Sequence, residues 1–386
     1  MFDTMRSRTK AIAFRCVAVG LSLLVLELCV RFGYWATGRN YAAYARVNAK
    51  FATAARTWRF YYYDNEYPYL PYRVLPNKPG YSNSKGYRGD EFDWKKPDGV
   101  LRVVCLGGST TFEGTYPRAL QERLTKLIAS NPRNYSRAEV LNFGAEEWTT
   151  QEIMINYIGR GIYSNPDIVV VYEAINDTAP GFVPPGIRAE PDYSHYRTRL
   201  QVPSREVWDF MPNMLDGCRI VGTVRYLLNK RRPEFIWGAR QHSYKADMKY
   251  EVQDDFHTYE RNLETIATIG SQSGSLVFFV SQVHCPEWSL ELGHGSDRLL
   301  KRVAYLNTLA RKIAGRHAAS DRVFFVDAAS VIPATKEWMA DPCHFYEKGY
   351  VLLGNHVAEE IGKTLRQMDF EWPSPPAARG ETVSCR

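Results

Sequence analysis

The feature that most constrains this chain is an alternation of short apolar runs with longer stretches of helical spacing. Val100–Leu106 runs into Gly107-Gly108; Glu139–Phe143, Asp167–Tyr172 (DIVVVY), Ser275–Val283 (SLVFFVSQV) and Arg322–Val326 (RVFFV) follow. Continuous apolar runs of this length fit strands buried on both faces. Between the first two, Tyr116–Ile128 puts Leu120, Leu124, Leu127 and Ile128 on one helical face. A helix is expected from about Thr150, and Tyr259–Ile269, Arg298–Ala314 and Val351–Met368 also read as helices. Strands alternating with helices of this length predict a parallel sheet covered by helices on both faces. The 386 residues leave room for one large domain with appendages.

Composition narrows the class. At 45% hydrophobic and 24% charged residues the chain is an ordinary globular sequence, which excludes wholesale disorder. The net charge of +7 is scattered, with local density only at Lys230, Arg231 and Arg232, so no nucleic-acid partner is expected. There is no CxxC pair and no metal-type cysteine spacing, and no metal or cofactor is expected. His284, Glu287 and His294 match no helical zinc motif.

The N-terminal region stands apart. Arg6, Arg8, Lys10 and Arg15 precede an apolar run from Cys16 to Val30, interrupted by Glu27 and closed by Arg31. Extended from Ala11 to Ala36 it reaches the roughly 20 residues of a bilayer crossing, with Arg15 and Arg31 snorkelling and Tyr34 and Trp35 at the far interface. No small-x-small cleavage site follows, so residues 1–40 are expected to be a cytoplasmic flank and an uncleaved transmembrane helix. The positive flank predicts the remainder outside the cytoplasm, periplasmic or extracellular. Residues 41–98 read as a juxtamembrane and lead-in segment, in which Pro68, Pro71, Pro76 and Pro79 forbid a continuous helix and Asn83–Gly89 is turn-rich. Residues 99–370 hold the sheet, with an aromatic and proline-rich insertion at about 178–256 placed over the sheet edge; 371–386 form a flexible tail.

In an open parallel sheet, ligands bind beyond the carboxyl ends of the strands. Four polar segments fall at that edge: Gly107-Gly108-Ser109-Thr110-Thr111, Asn142-Phe-Gly144-Ala-Glu-Glu147, Glu173-Ala-Ile-Asn176-Asp177 and Asp341-Pro-Cys-His344. A P-loop is excluded because no lysine follows the glycines, and G-x-G-x-x-G is absent. Serine needs a base to accept its proton, and histidine is the side chain with the fitting pKa. A carboxylate three residues earlier can fix the tautomer of that imidazole.

These blocks together resemble the SGNH (GDSL-like) hydrolase family over the stretch from Val100 to the last helix. Gly107-Gly108-Ser109 matches its nucleophile block, with Gly where the family has Asp before Ser. Asn176-Asp177 matches G-x-N-D, with Ala174 in place of Gly, and Asp341-x-x-His344 matches the final block. The Asn83–Gly89 lead-in is similar to that of membrane-anchored bacterial members. The resemblance implies a three-layer α/β flavodoxin-like fold and acyl chemistry through Ser109, His344 and Asp341. It implies oxyanion donors from the Ser109 N–H, the Asn176 amide and the backbone N–H of Glu147 or Gly144. The expected substrate is an acylated glycan or a lipid ester, with hydrolysis, O-acyl transfer and a silent glycan-binding or assembly role left open. Glu147 stands where the family has a donor glycine and is expected to turn its carboxylate outward. Cys285 and Cys343, both near the catalytic edge, are expected to be able to form a bridge.

Overall fold

The computed structural model of the protein describes residues 2–36, 63–64, 69–130, 135–180, 192–193, 256–291 and 296–368. The chain divides into two compact units, one of residues 1–61 and 202–243 and one of residues 62–201 and 244–386. Most of the expected insertion, including Lys230, Arg231 and Arg232, and the tail from residue 369 lie outside the described residues.

In the first unit the described element is helix α1, Phe2–Ala36. Leu23, Leu24, Val25 and Leu26 are each half exposed or more. Four consecutive residues cover the whole circumference of a helix, so the apolar surface is a sleeve, not a stripe. Glu27 pairs with Arg31 at 2.9 Å, one turn on. Among the described residues no helix is long and apolar enough to cross a membrane. The expectation of a transmembrane helix is corrected accordingly. The uncharged stretch between Arg15 and Glu27 rises only about 16 Å, half of a hydrocarbon core of about 30 Å.

The second unit is built on a five-stranded parallel sheet. After a short antiparallel pair, β1 (Tyr63–Asp64) and β2 (Arg73–Val74), come β3 (Val100–Gly107), β4 (Arg137–Asn142), β5 (Ile168–Tyr172), β6 (Leu276–Val280) and β7 (Val323–Val326). Their order is β4-β3-β5-β6-β7. That is the doubly wound, flavodoxin-like order, whose switch point lies between β3 and β5. The helices are α2 (Ser109–Phe112), α3 (Tyr116–Ser130), α4 (Thr150–Gly159), α5 (His257–Gln272), α6 (Pro286–Glu291), α7 (Ser296–Arg316) and α8 (Glu347–Gln367).

Side chains alternate across a strand, and both faces of this sheet are covered. Leu101, Val103 and Cys105 of β3, with Ile168 and Val170 of β5, join Leu120 and Leu124 of α3 and Leu353 and Val357 of α8 in one core. The intervening residues Val104, Val169 and Val277, also fully buried, face the layer of α4, α5 and α7. Within the supposedly apolar β3 run sits Arg102, fully buried. Its guanidinium donates to Glu139 at 2.7 Å and to the Ser164 carbonyl at 2.7 Å, which is what permits a charge inside a strand.

The lead-in wraps the end of β4. Asn83 Oδ1 accepts the N–H groups of Lys85 and Tyr87, and its amide donates to the Asp90 carbonyl. This fixed turn lays the Tyr87 ring on Phe143, centroids 3.8 Å apart. Arg88 bridges to Asn142, and Tyr72 and Tyr81 donate to Glu146. The lead-in thereby holds the β4–α4 loop, which forms one wall of the candidate site.

Candidate active site

All four polar segments meet at the carboxyl edge of the sheet. Ser109 opens α2 immediately after β3, and as the first residue of a helix its N–H has no intrahelical acceptor. The two glycines before it are required by contact. A Cβ at 107 would stand 2.1 Å from Thr111 Oγ1, and one at 108 would stand 2.3 Å from Asn176 Nδ2 and 2.4 Å from Glu173 Oε2. Glu173 fills part of the space that a side chain at 108 would need.

His344 comes from the loop before α8. An antiparallel bridge between Met339 and Phe345 closes the loop, with the Ala340 N–H on the His344 carbonyl at 2.8 Å. From outside, the Trp288 indole N–H binds the Met339 carbonyl at 2.8 Å, and the Cys285 N–H binds that of Pro342 at 2.8 Å. Inside the loop Asp341 Oδ1 accepts the N–H groups of Cys343 and His344 at 2.8 and 2.7 Å. That leaves Oδ2 for His344 Nδ1 at 2.7 Å, and the far nitrogen Nε2 lies 2.8 Å from Ser109 Oγ. A carboxylate accepts only, so Nδ1 carries the proton and Nε2 offers its lone pair to the serine hydroxyl.

The two groups also govern each other's charge. Burial works to raise the Asp341 pKa, but the bond and charge of His344 outweigh it and hold the carboxyl below its ordinary value. Burial likewise works against a charged His344. Its neighbours overturn that and raise its pKa, the Cys343 sulfur contributing only as thiolate and the Asp341 carboxylate at any neutral pH. Burial raises the Cys343 thiol, so at neutral pH the sulfur is uncharged and Asp341 is the effective cause.

The β5 end supplies a second, deeper set. Glu173, 2% exposed, accepts from the Gly108 N–H at 2.9 Å and the Asn176 N–H at 2.8 Å. Burial, and then the charge of Asp177, push its pKa up to about 8. Asp177 accepts from the Thr150 N–H at 2.8 Å at the start of α4, and burial pushes it up to about 7. The sequence places Glu173 at a strand end and assigns it no role. The signal was present: an acidic residue closing a strand that is otherwise wholly apolar.

The oxyanion donors fall out unevenly. Of the two alternative backbone donors, the Gly144 N–H donates to Asn142 Oδ1 at 3.0 Å. Glu147 has φ +57°, the left-handed region that favours glycine, so the backbone keeps the glycine conformation under a different side chain. The Asn176 amide hydrogens have acceptors in the Trp148 carbonyl at 2.9 Å and Glu173 Oε2 at 3.3 Å. A developing oxyanion would have to displace the longer of these.

Among the described residues Cys285 and Cys343 are both free thiols, so the expected bridge is not formed although their loops are hydrogen-bonded. His284 lies buried in the loop after β6, and burial lowers its pKa to about 4, keeping it neutral. His294 lies outside the described residues.

No family model matches the chain, and no curated protein matches it. Solved structures do. The lipase/acylhydrolase from Enterococcus faecalis superposes with a TM-score of 0.38 at 18% identity, covering 68% of this chain and 95% of that one. A GDSL-like lipase from Bacteroides thetaiotaomicron gives 0.36 at 12% identity, over 69% and 89%. A catalytic mutant of an acetylxylan esterase from Geobacillus stearothermophilus gives 0.38 at 12%, over 70% and 95%.

Proposed function

We propose that the protein is a serine esterase of the SGNH type, acting on short O-acyl groups of an envelope or extracellular glycan. The observation that carries this reading is the unbroken chain Asp341–His344–Ser109, with links of 2.7 and 2.8 Å at the ligand-binding edge of the sheet. Ser109 Oγ attacks the acyl carbonyl as its proton passes to His344 Nε2. Asp341 holds the imidazole in the accepting tautomer and stabilises the imidazolium that forms. The N–H groups of Ser109 and Glu147, joined by the Asn176 amide, receive the negative charge on the carbonyl oxygen. Collapse returns the proton from Nε2 to the leaving alkoxide and leaves an acyl-Ser109. Water, deprotonated by the same imidazole, then releases the acid; a sugar hydroxyl in its place completes a transfer.

A silent glycan-binding or assembly role is the second reading, favoured by the occupied Asn176 amide. Turnover of p-nitrophenyl acetate separates the two. Esterase chemistry predicts hydrolysis by the wild type and none by Ser109→Ala; equal rates, or no rate in either, would leave the silent role.

We also propose that α1 associates with a membrane without spanning it, and that the protein acts outside the cytoplasm. Supporting the association is the all-round apolar sleeve, which has no polar face to present to water. The chain should sediment with membranes and be released by deletion of residues 1–36, and a reporter active only in the cytoplasm, fused after Arg386, should be silent; a soluble wild type or an active reporter would contradict the proposal.

A further inference from the structure

The catalytic loop carries one more functional group than acyl transfer uses. Among the described residues, Asp341, Cys343 and His344 form the one group of side chains whose donor atoms lie close enough to share a metal ion, all within 4.8 Å of one another. Cys343 Sγ lies 3.5 Å from His344 Nδ1, and Asp341 Oδ2 lies 2.7 Å from the same nitrogen. All three residues are only partly buried.

These separations can be set against a real coordination sphere. Zinc bonds of about 2.3 Å to sulfur and 2.05 Å to nitrogen, at a tetrahedral angle, place the two donors about 3.6 Å apart. The 3.5 Å observed already matches. Nitrogen and carboxylate oxygen around the same ion sit about 3.4 Å apart. The Asp341–His344 contact of 2.7 Å therefore has to open by about 0.7 Å, a side-chain rotation within the loop. Carboxylate, thiolate and imidazole together suit a borderline-soft divalent ion, and a water completes the fourth position.

We propose that Asp341, Cys343 and His344 form an inhibitory site for a borderline-soft divalent cation, zinc in particular. The ion takes the Nδ1 lone pair, so the imidazole proton must sit on Nε2. Nε2–H then faces Ser109 Oγ as a donor and no longer accepts its proton. Asp341 is drawn to the metal as well, and the thiol of Cys343 gives up one proton to solvent on binding, since a coordinating thiol is deprotonated outright. One bound ion removes the base, its orienting carboxylate and the activated serine together. The effect rests on His344 being the base in the proposed function, whereas the site itself does not depend on activity.

The test uses the full-length chain in chelator-free buffer, titrated with Zn2+ and separately with Co2+. Expected are one zinc bound per chain, a thiolate-to-cobalt charge-transfer absorption in the near ultraviolet, and loss of Ser109 labelling by a fluorophosphonate probe that EDTA restores. Cys343→Ser should fold, label normally without metal, lose the cobalt absorption and weaken zinc inhibition by at least tenfold. No bound ion, or a wild-type cobalt complex without the thiolate absorption, overturns the site whether or not the enzyme is active. Zinc that binds with the thiolate absorption yet leaves labelling unchanged overturns the inhibition. Inhibition as strong in Cys343→Ser as in the wild type overturns the assignment of Cys343.

Discussion

Glu173 and Asp341 both sit beside the serine–histidine pair and both accept main-chain N–H groups, yet their charges are governed in opposite directions. Glu173 is buried at the end of β5, takes the Gly108 and Asn176 N–H groups, and is pushed up to about 8. Asp341 is 42% exposed by its side chain, takes two N–H groups of its own loop, and is held below the ordinary carboxylate value. The difference lies in what else each one meets. Asp341 faces the imidazole of His344, whereas Glu173 is fully buried and faces the like charge of Asp177. Main-chain dipoles alone do not offset burial and a neighbouring anion, but an adjacent cationic partner does. One carboxylate therefore reads as part of the chemistry, and the other as part of the frame that shapes it.

Breaking the Asp341 side should have the largest effect. Asp341→Asn is expected to lower ester turnover by on the order of 10^2- to 10^4-fold, because the amide no longer fixes the accepting tautomer. The pH profile of kcat/KM gives the sharper reading. His344 must be neutral to act as base, and the carboxylate raises its pKa; its removal should move the acidic limb to lower pH. An unmoved limb would mean that Asp341 is not the cause of the raised value. The stability linkage of Asp341 runs the usual way for a depressed carboxyl. Its contribution is present above the unfolded value of about 3.9 and is lost as pH falls through the lower folded value.

Breaking the Glu173 side should be felt as stability. Glu173→Ala leaves the Gly108 and Asn176 N–H groups without acceptors, an expected loss of about 2–4 kcal/mol, read from the denaturant midpoint. Here the pH dependence has the opposite sign. Between the unfolded value of about 4.3 and the folded value of about 8, the native state holds a proton that the unfolded chain has shed. Wild-type stability should therefore fall as pH rises through that window, and Glu173→Gln should flatten the slope. A slope unchanged in Glu173→Gln would show that the carboxyl is not the buried proton carrier.

The smallest effect is expected at Glu147, in the β4–α4 loop. Its left-handed φ of +57° is strained for a residue with a Cβ. Glu147→Gly should change stability by less than about 1 kcal/mol, relief of strain being offset by the greater freedom of the unfolded chain. Turnover should hold or rise. Loss of activity in Glu147→Gln with folding intact would instead give the carboxylate a chemical role.

What could be read from the sequence follows from the range of the interactions involved. The strands were legible because burial on both faces writes a local apolar run, and the helices because one buried stripe repeats every turn. Ser109, Asp341 and His344 were legible because each sits at an element boundary in a short motif. Arg102 was passed over inside an apolar run because its partners Glu139 and Ser164 lie far along the chain. The same holds for Glu173: Gly108, which makes room for it, lies far along the chain, in the turn after another strand. The bond from the Gly144 N–H to Asn142 Oδ1 depends on a side-chain placement that no local motif records. The N-terminal run had the composition of a span, but Glu27 and its Arg31 partner cut it at the level of individual turns.

The central claim is that Ser109 is a nucleophile activated by His344, and covalent capture tests it most directly. A fluorophosphonate probe added to the wild-type chain should form a single adduct, mapped by mass spectrometry of the digest to the peptide bearing Ser109. The adduct should be absent in Ser109→Ala and formed on the order of 10^4-fold more slowly in His344→Ala. Labelling at another residue, or equal labelling of the wild type and Ser109→Ala, would contradict the account.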